Sequence, residues 1–143
     1  MTMRDQMNSL YPKRVLSPVA TAADNTAQVG QIIDHRGFNA ATYIILTGAL
    51  PDADATFTVL LEESDASDMS GSNAVADADM VGTEALASFI FSDDNKCFKL
   101  GYIGTKRYTR MTITPGANAS ASLLGAVCVL GEPSLLPTAN PPA

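Results

Sequence analysis

Apolar side chains fall on every second position through much of this chain. In Thr56-Phe57-Thr58-Val59-Leu60-Leu61-Glu62, Phe57, Val59 and Leu61 share one face. Thr56, Thr58 and Glu62 share the other, with Leu60 as the exception. Arg107 to Thr114 repeats the pattern, with Thr109, Met111 and Ile113 against Tyr108, Arg110 and Thr112. A period of two belongs to a strand with one face buried, whereas an amphipathic helix needs 3.6. Ser88 to Phe91 and Phe98 to Tyr102 read as two further strands, and Arg14 to Thr21 and Ala27 to Asp34 as weaker ones. Thr42 to Thr47 and Ser122 to Leu130 are apolar on both faces. Such runs suit central strands, or strands whose outer face a partner covers.

Turn residues separate these runs: Asp34-His35-Arg36-Gly37, Leu50-Pro51-Asp52, Ser92-Asp93-Asp94-Asn95 and Pro115-Gly116-Ala117-Asn118. The short Ser92 to Lys96 connection predicts a hairpin of Ala87–Ser92 with Lys96–Tyr102. About eight strands with a turn every 8–12 residues mark an all-β sandwich or barrel. The 143 residues suffice for one domain with a real core, and 46% hydrophobic content excludes disorder of the whole chain.

The domain is expected over residues 13–133. Residues 1–12 are polar and read as an N-terminal arm. Residues 134–143 carry three prolines and read as an extended C-terminal tail. Residues 64–84 are rich in Ala, Asp, Ser and Gly and form a long acidic loop, with a short helix expected somewhere in Ala74 to Ala87.

Fifteen acids against nine Lys and Arg give a net charge of −6. Nucleic-acid binding, which needs a basic surface to displace counterions, is not expected. Nor is a membrane role, since no apolar run reaches the roughly 18 residues that span a bilayer. The N-terminus has no apolar stretch of a secretory signal, so synthesis in a reducing cytoplasm is expected. Charge is segregated: residues 52–94 hold eleven acids and no Lys or Arg, while 96–110 hold five cations and no acid. This asymmetry fits either oriented docking on another protein or internal balance between neighbouring strands.

No arrangement of residues predicts catalysis, a cofactor or a metal. Asp52-Ala53-Asp54 and Asp77-Ala78-Asp79 lack the Gly and distant Glu of a calcium loop. His35, the one histidine, sits among turn residues and is expected to be exposed. Glu62 and Glu63 are adjacent on a strand and must point to opposite faces, so they cannot pair across a cleft. Cys97 and Cys128 lie in apolar runs and are expected as reduced core residues. Gly101-Tyr102-Ile103-Gly104 followed by Lys106 and Arg107 has the Gly-x-x-Gly spacing of a phosphate or RNA clamp, but equally of a tight turn with an exposed basic edge.

The run from Leu100-Gly101-Tyr102-Ile103-Gly104-Thr105-Lys106-Arg107-Tyr108 to Thr114 resembles a region of small head proteins of tailed phages, the capsid cement or decoration proteins. Asp34-His35-Arg36-Gly37-Phe38 to Ile45, the loop ending Gly82-Thr83-Glu84 and Ala126 to Pro133 fit the same family. The resemblance spans about residues 30–133. It implies a jelly-roll-like antiparallel β-sandwich, and a homodimer on the outer surface of an icosahedral virion that cements neighbouring copies of the major capsid protein. It implies no enzyme activity.

Contacts with the capsid or between copies are expected from Leu10, Tyr11, Lys13 and Arg14 at the arm, and from Leu135 and Leu136 in the tail. Lys106, Arg107, Tyr108 and Arg110 on the basic strands complete the set. A receptor- or carbohydrate-binding module and a low-copy head-completion or adaptor protein are the competing expectations. The absence of Trp argues against a carbohydrate platform.

Overall fold

The computed structural model describes residues 4–142. A 3-10 turn at Met7–Ser9 precedes β1 (Tyr11–Ala20). Then follow β2 (Gln28–Val29), β3 (Ile33–Asp34), β4 (Phe38–Thr47), β5 (Thr56–Ser64) and β6 (Asn73–Ala74). After a 3-10 turn at Asp77–Asp79 come β7 (Met80–Val81), α1 (Glu84–Ala87), β8 (Phe89–Ile90), β9 (Cys97–Tyr102), β10 (Tyr108–Gly116) and β11 (Leu123–Pro133). The first sheet has the order β1-β11-β4-β9-β7. The second has the order β2-β10-β5-β6, with β3 also on β10 and β8 also on β5. All pairs are antiparallel. From β3 onward the chain changes sheet at nearly every element, and the result is a jelly-roll-like β-sandwich.

The alternating runs supply the two inner faces. Phe57, Val59 and Leu61 of β5 and Thr109, Met111 and Ile113 of β10 are at most 2% exposed. They meet Tyr43 and Ile45 of β4, Leu100 of β9 and Cys128 and Leu130 of β11. Both runs that are apolar on two faces are interior strands of the first sheet: β11 lies between β1 and β4, and β4 between β11 and β9.

The expected Ala87–Tyr102 hairpin does not form. β8 pairs with β5 in the second sheet and β9 with β4 in the first. Phe89 and Phe98 instead face each other across the core, with ring centroids 5.4 Å apart. The turn residues clamp this crossing to the β4–β5 corner. Thr47 Oγ1 donates to the Asp93 carbonyl (2.6 Å), and the Leu50 N–H donates to Asp94 Oδ1 (2.7 Å). The expected strand over 27–34 is likewise split. The Gly30 N–H bonds the Met111 carbonyl in the second sheet, while the Gln31 N–H bonds the Val15 carbonyl in the first.

Residues 64–84 are pinned rather than free. Buried Met69, Val75 and Met80 tie them to the sandwich, and β6 and β7 add a rung to each sheet. The short helix falls at Glu84–Ala87, where the Thr83 hydroxyl caps the Leu86 N–H at 3.1 Å.

Candidate interaction surface

Three of the expected contact cations are already partnered within the chain. The register of β10 on β5 sets Arg110 opposite Glu62, and Arg110 Nη2 meets Glu62 Oε2 at 3.0 Å. Arg107 forks onto both oxygens of Asp34, at 3.0 and 2.9 Å. Lys106 Nζ reaches Asp65 Oδ2 at 2.5 Å. The hydrogen bonds from these cations hold the Asp34 and Asp65 carboxyls below the ordinary carboxylate range. For these three residues the charge segregation is balanced internally, by acids of two neighbouring strands and one loop. Tyr108 is half-buried, with the Arg107 guanidinium 4.9 Å from its ring centroid.

The Gly-x-x-Gly stretch is a turn built over an aromatic ring. A Cβ on Gly104 would come within 2.6–2.7 Å of the Tyr102 ring and hydroxyl. The Tyr102 hydroxyl donates to Glu63 Oε2 (2.7 Å) and accepts the Lys106 N–H (3.0 Å), which closes the turn. Burial, with the bond to Glu63, raises the Tyr102 pKa.

His35 is not an exposed turn residue. Its ring packs 5.1 Å from that of Tyr102, and Nε2 lies 2.7 Å from Thr109 Oγ1. The turn geometry was legible in the sequence. The inward rotation of the ring toward a buried hydroxyl was not.

The arm and tail lie together. The Thr138 N–H donates to the Asn8 carbonyl (2.9 Å) and Thr138 Oγ1 to the Leu10 carbonyl (2.7 Å). Tyr11 packs on Phe38 with centroids 5.4 Å apart, and Lys13 Nζ lies 4.9 Å from the Tyr11 ring centroid. Leu10 is 37% exposed, whereas Leu135 and Leu136 stand out at 83% and 63%.

The outer face of the first sheet is open. The ladders align Arg14, Val127, Ile44 and Lys99 in one row across β1, β11, β4 and β9. Gly125, Leu46 and Cys97 form the next row. Leu46, Leu123 and Val127 are 58%, 46% and 39% exposed. Between them lies a groove of about 520 Å³ whose lining includes Arg14 but no acid and no aromatic ring. The groove has a structural cause: β1 is irregular beside Leu16 and Pro18, and Pro18 lies over Gly125, where a Cβ would meet it at 3.3 Å.

Cys97 lies on this outer face and is exposed, contrary to expectation, because β9 turns Phe98 and Leu100 inward. Cys128 is a core residue, and burial pushes its thiol up to about 12. Of this surface, only Arg14 was among the contact residues expected from the sequence. Lys99, Leu46, Leu123 and Val127 were missed, although the two runs apolar on both faces carried the signal.

Among the described residues, no group of three or more His, Cys, Asp or Glu converges on a point where a metal ion could sit. No helix among them is long and apolar enough to cross a membrane.

No family model and no curated protein matches the chain. Solved structures do. The PBSX exported protein XepA aligns with 84% of this chain at 17% identity and a TM-score of 0.54. The match covers 36% of the XepA chain, so the present chain spans about a third of that protein's length. A CBM22-1–GH10 fragment of Clostridium thermocellum xylanase 10B aligns over 94% of this chain and 28% of its own, at 12% identity and a TM-score of 0.42. The likeness to XepA is one of fold.

Proposed function

We propose that this chain is a structural protein of a tailed-phage virion. It binds the outside of the icosahedral capsid as a homodimer and ties neighbouring major capsid proteins together. The observation that carries this reading is the open apolar face of the first sheet, with Leu46, Leu123 and Val127 presented on two rigid interior strands. Apolar surface held open on regular strands marks a protein interface rather than a mobile loop end. The sandwich and the resemblance across residues 30–133 support the same role. A shell offers many identical sites, so modest contacts at each add up to tight decoration.

Copy number tests the reading. The protein is quantified against the major capsid protein in purified virions by mass spectrometry. A one-to-one ratio, or another large simple fraction, supports a role across the whole shell. A ratio of a few per cent moves the protein to the neck, a vertex or a fibre and overturns cementing. Absence from the particle overturns the virion role altogether.

A further inference from the structure

Six of the nine cations of the sequence bear on the choice of surface. Lys96, Lys106, Arg107 and Arg110 each meet a carboxylate of the same chain. Arg14 and Lys99 form no ion pair among the described residues, and both are exposed. These two cations end the same row on the outer face, with Val127 and Ile44 between them. Three interstrand steps separate them, about 14 Å at the usual strand spacing of about 4.8 Å. The groove beside the row, which Arg14 lines, contains no carboxylate; Lys99 lines the neighbouring depression, where Glu132 is the one acid in the lining and forms no ion pair with it.

We infer that this face seats an apolar segment of the major capsid protein flanked on both sides by carboxylates, which Arg14 and Lys99 grip. The inference rests on the capsid-binding reading and assigns that reading its surface. A second copy of this chain is a poor occupant of the same row. A two-fold axis along the row sets Arg14 on Arg14 and Lys99 on Lys99. An axis across it sets Arg14 on Lys99. With the axis through the row, cation faces cation as water is expelled, and like charges brought together at an interface suppress the pairing. An acidic flank on a different polypeptide removes that conflict, while its apolar centre covers Ile44, Leu46 and Val127. Lys106 and Arg107 have no such vacancy, because their charges are satisfied at home.

The test uses purified capsid shells stripped of this protein, to which the full-length chain is added back. Four versions are compared: wild type, Arg14→Glu/Lys99→Glu, Leu46→Asp, and Lys106→Glu/Arg107→Glu as a charge-matched control away from the face. Circular dichroism melts establish that each is folded. At 58% exposure, Leu46 tolerates an aspartate in the free protein. The expected result is wild-type binding that weakens with salt, losses of about thirtyfold or more for both face variants, and binding within about threefold of wild type for the control.

If wild type binds and the face variants bind equally well, the inference falls and the capsid role stands. If wild type fails to bind, the capsid role falls and the inference with it. If Leu46→Asp halves the mass of the free protein in sedimentation, the face joins two copies of this chain and the inference is overturned.

Discussion

The Tyr43 hydroxyl lies 2.6 Å from the Thr109 hydroxyl oxygen in the middle of the sandwich, where both residues are fully buried. His35 Nε2 approaches the same Thr109 oxygen at 2.7 Å. One threonine therefore links a tyrosine of the first sheet to a histidine from the β3–β4 turn. With Nε2 unprotonated, the chain of bonds runs in one direction: Tyr43 donates to Thr109, and Thr109 donates to His35. Thr109→Val keeps the shape but strands the Tyr43 hydroxyl. Denaturant unfolding is expected to show a loss of about 1–3 kcal/mol. Adding Tyr43→Phe to Thr109→Val should recover part of it, since no hydroxyl is then left without a partner. Strictly additive losses would mean that the two hydroxyls do not act as a unit.

Stability should depend on pH through the same histidine. Removal from water holds His35 below its ordinary value of about 6.5, with Asp34 opposing the shift. Arg36, Tyr43, Glu63, Asp65, Tyr102, Lys106 and Arg107 also lie around this end of the sandwich. The unfolded chain therefore takes up a proton at a higher pH than the folded one. The contribution is complete above about pH 6.5 and is lost as pH falls through the lower, folded value. Thermal melts should be level from pH 8 to 7 and decline toward pH 5. His35→Gln should flatten that decline, while the steeper losses below about pH 4, as the lowered Asp34 and Asp65 carboxyls take up protons, remain. An unchanged profile in His35→Gln would place the titration elsewhere.

The strands were legible because the physics that forms them is local. Alternation along 57–61 and 109–113 needs only a period of two, and Phe57, Val59, Leu61, Thr109, Met111 and Ile113 are buried where the pattern puts them. Pairing was less legible. Ser92–Lys96 has the composition of a hairpin turn, yet whether β8 and β9 share a sheet is decided by Phe89 and Phe98 meeting across the core. The pairing of Arg110 with Glu62 follows from a strand register that joins residues 48 positions apart, and composition alone left internal balance and external docking equal. The outer face was half visible: runs apolar on both sides called for a cover, but Lys99 gained its meaning only from standing in line with Arg14.

Gly30 is required for its lack of a side chain. A Cβ there would lie 2.5 Å from the Met111 carbonyl oxygen and 2.7 Å from Val15 Cγ1. The first of these is backbone, held in β10, and cannot swing aside. Gly30→Ala is expected to cost about 1–3 kcal/mol or more through displacement of β2 or β10. Gly37→Ala makes a useful contrast. It meets nothing within 4 Å, and its cost comes from a backbone φ of +89° alone. If urea midpoints fall further for Gly37→Ala than for Gly30→Ala, the close approach at Gly30 is not the stronger constraint.

The edge of β5 between β6 and β8 is closed by side chains instead of a strand. The Leu61 N–H donates to Glu84 Oε1 at 2.6 Å, and the Val59 N–H donates to Ser88 Oγ at 3.0 Å. Both acceptors come from α1 and its C-cap, so four residues of helix complete a sheet edge that would otherwise be open to other strands. Glu84→Ala leaves the N–H of buried Leu61 unpaired and is expected to cost about 1–3 kcal/mol. Glu84→Gln keeps an acceptor oxygen and should cost less. The two variants also differ in what they uncover. Amide exchange at Val59 and Leu61 should accelerate in Glu84→Ala, while Ile113 and Met111 in the neighbouring strand stay protected. Uniform acceleration across β5 and β10 would mean that the whole sandwich had loosened, and that α1 supports the core rather than shielding an edge.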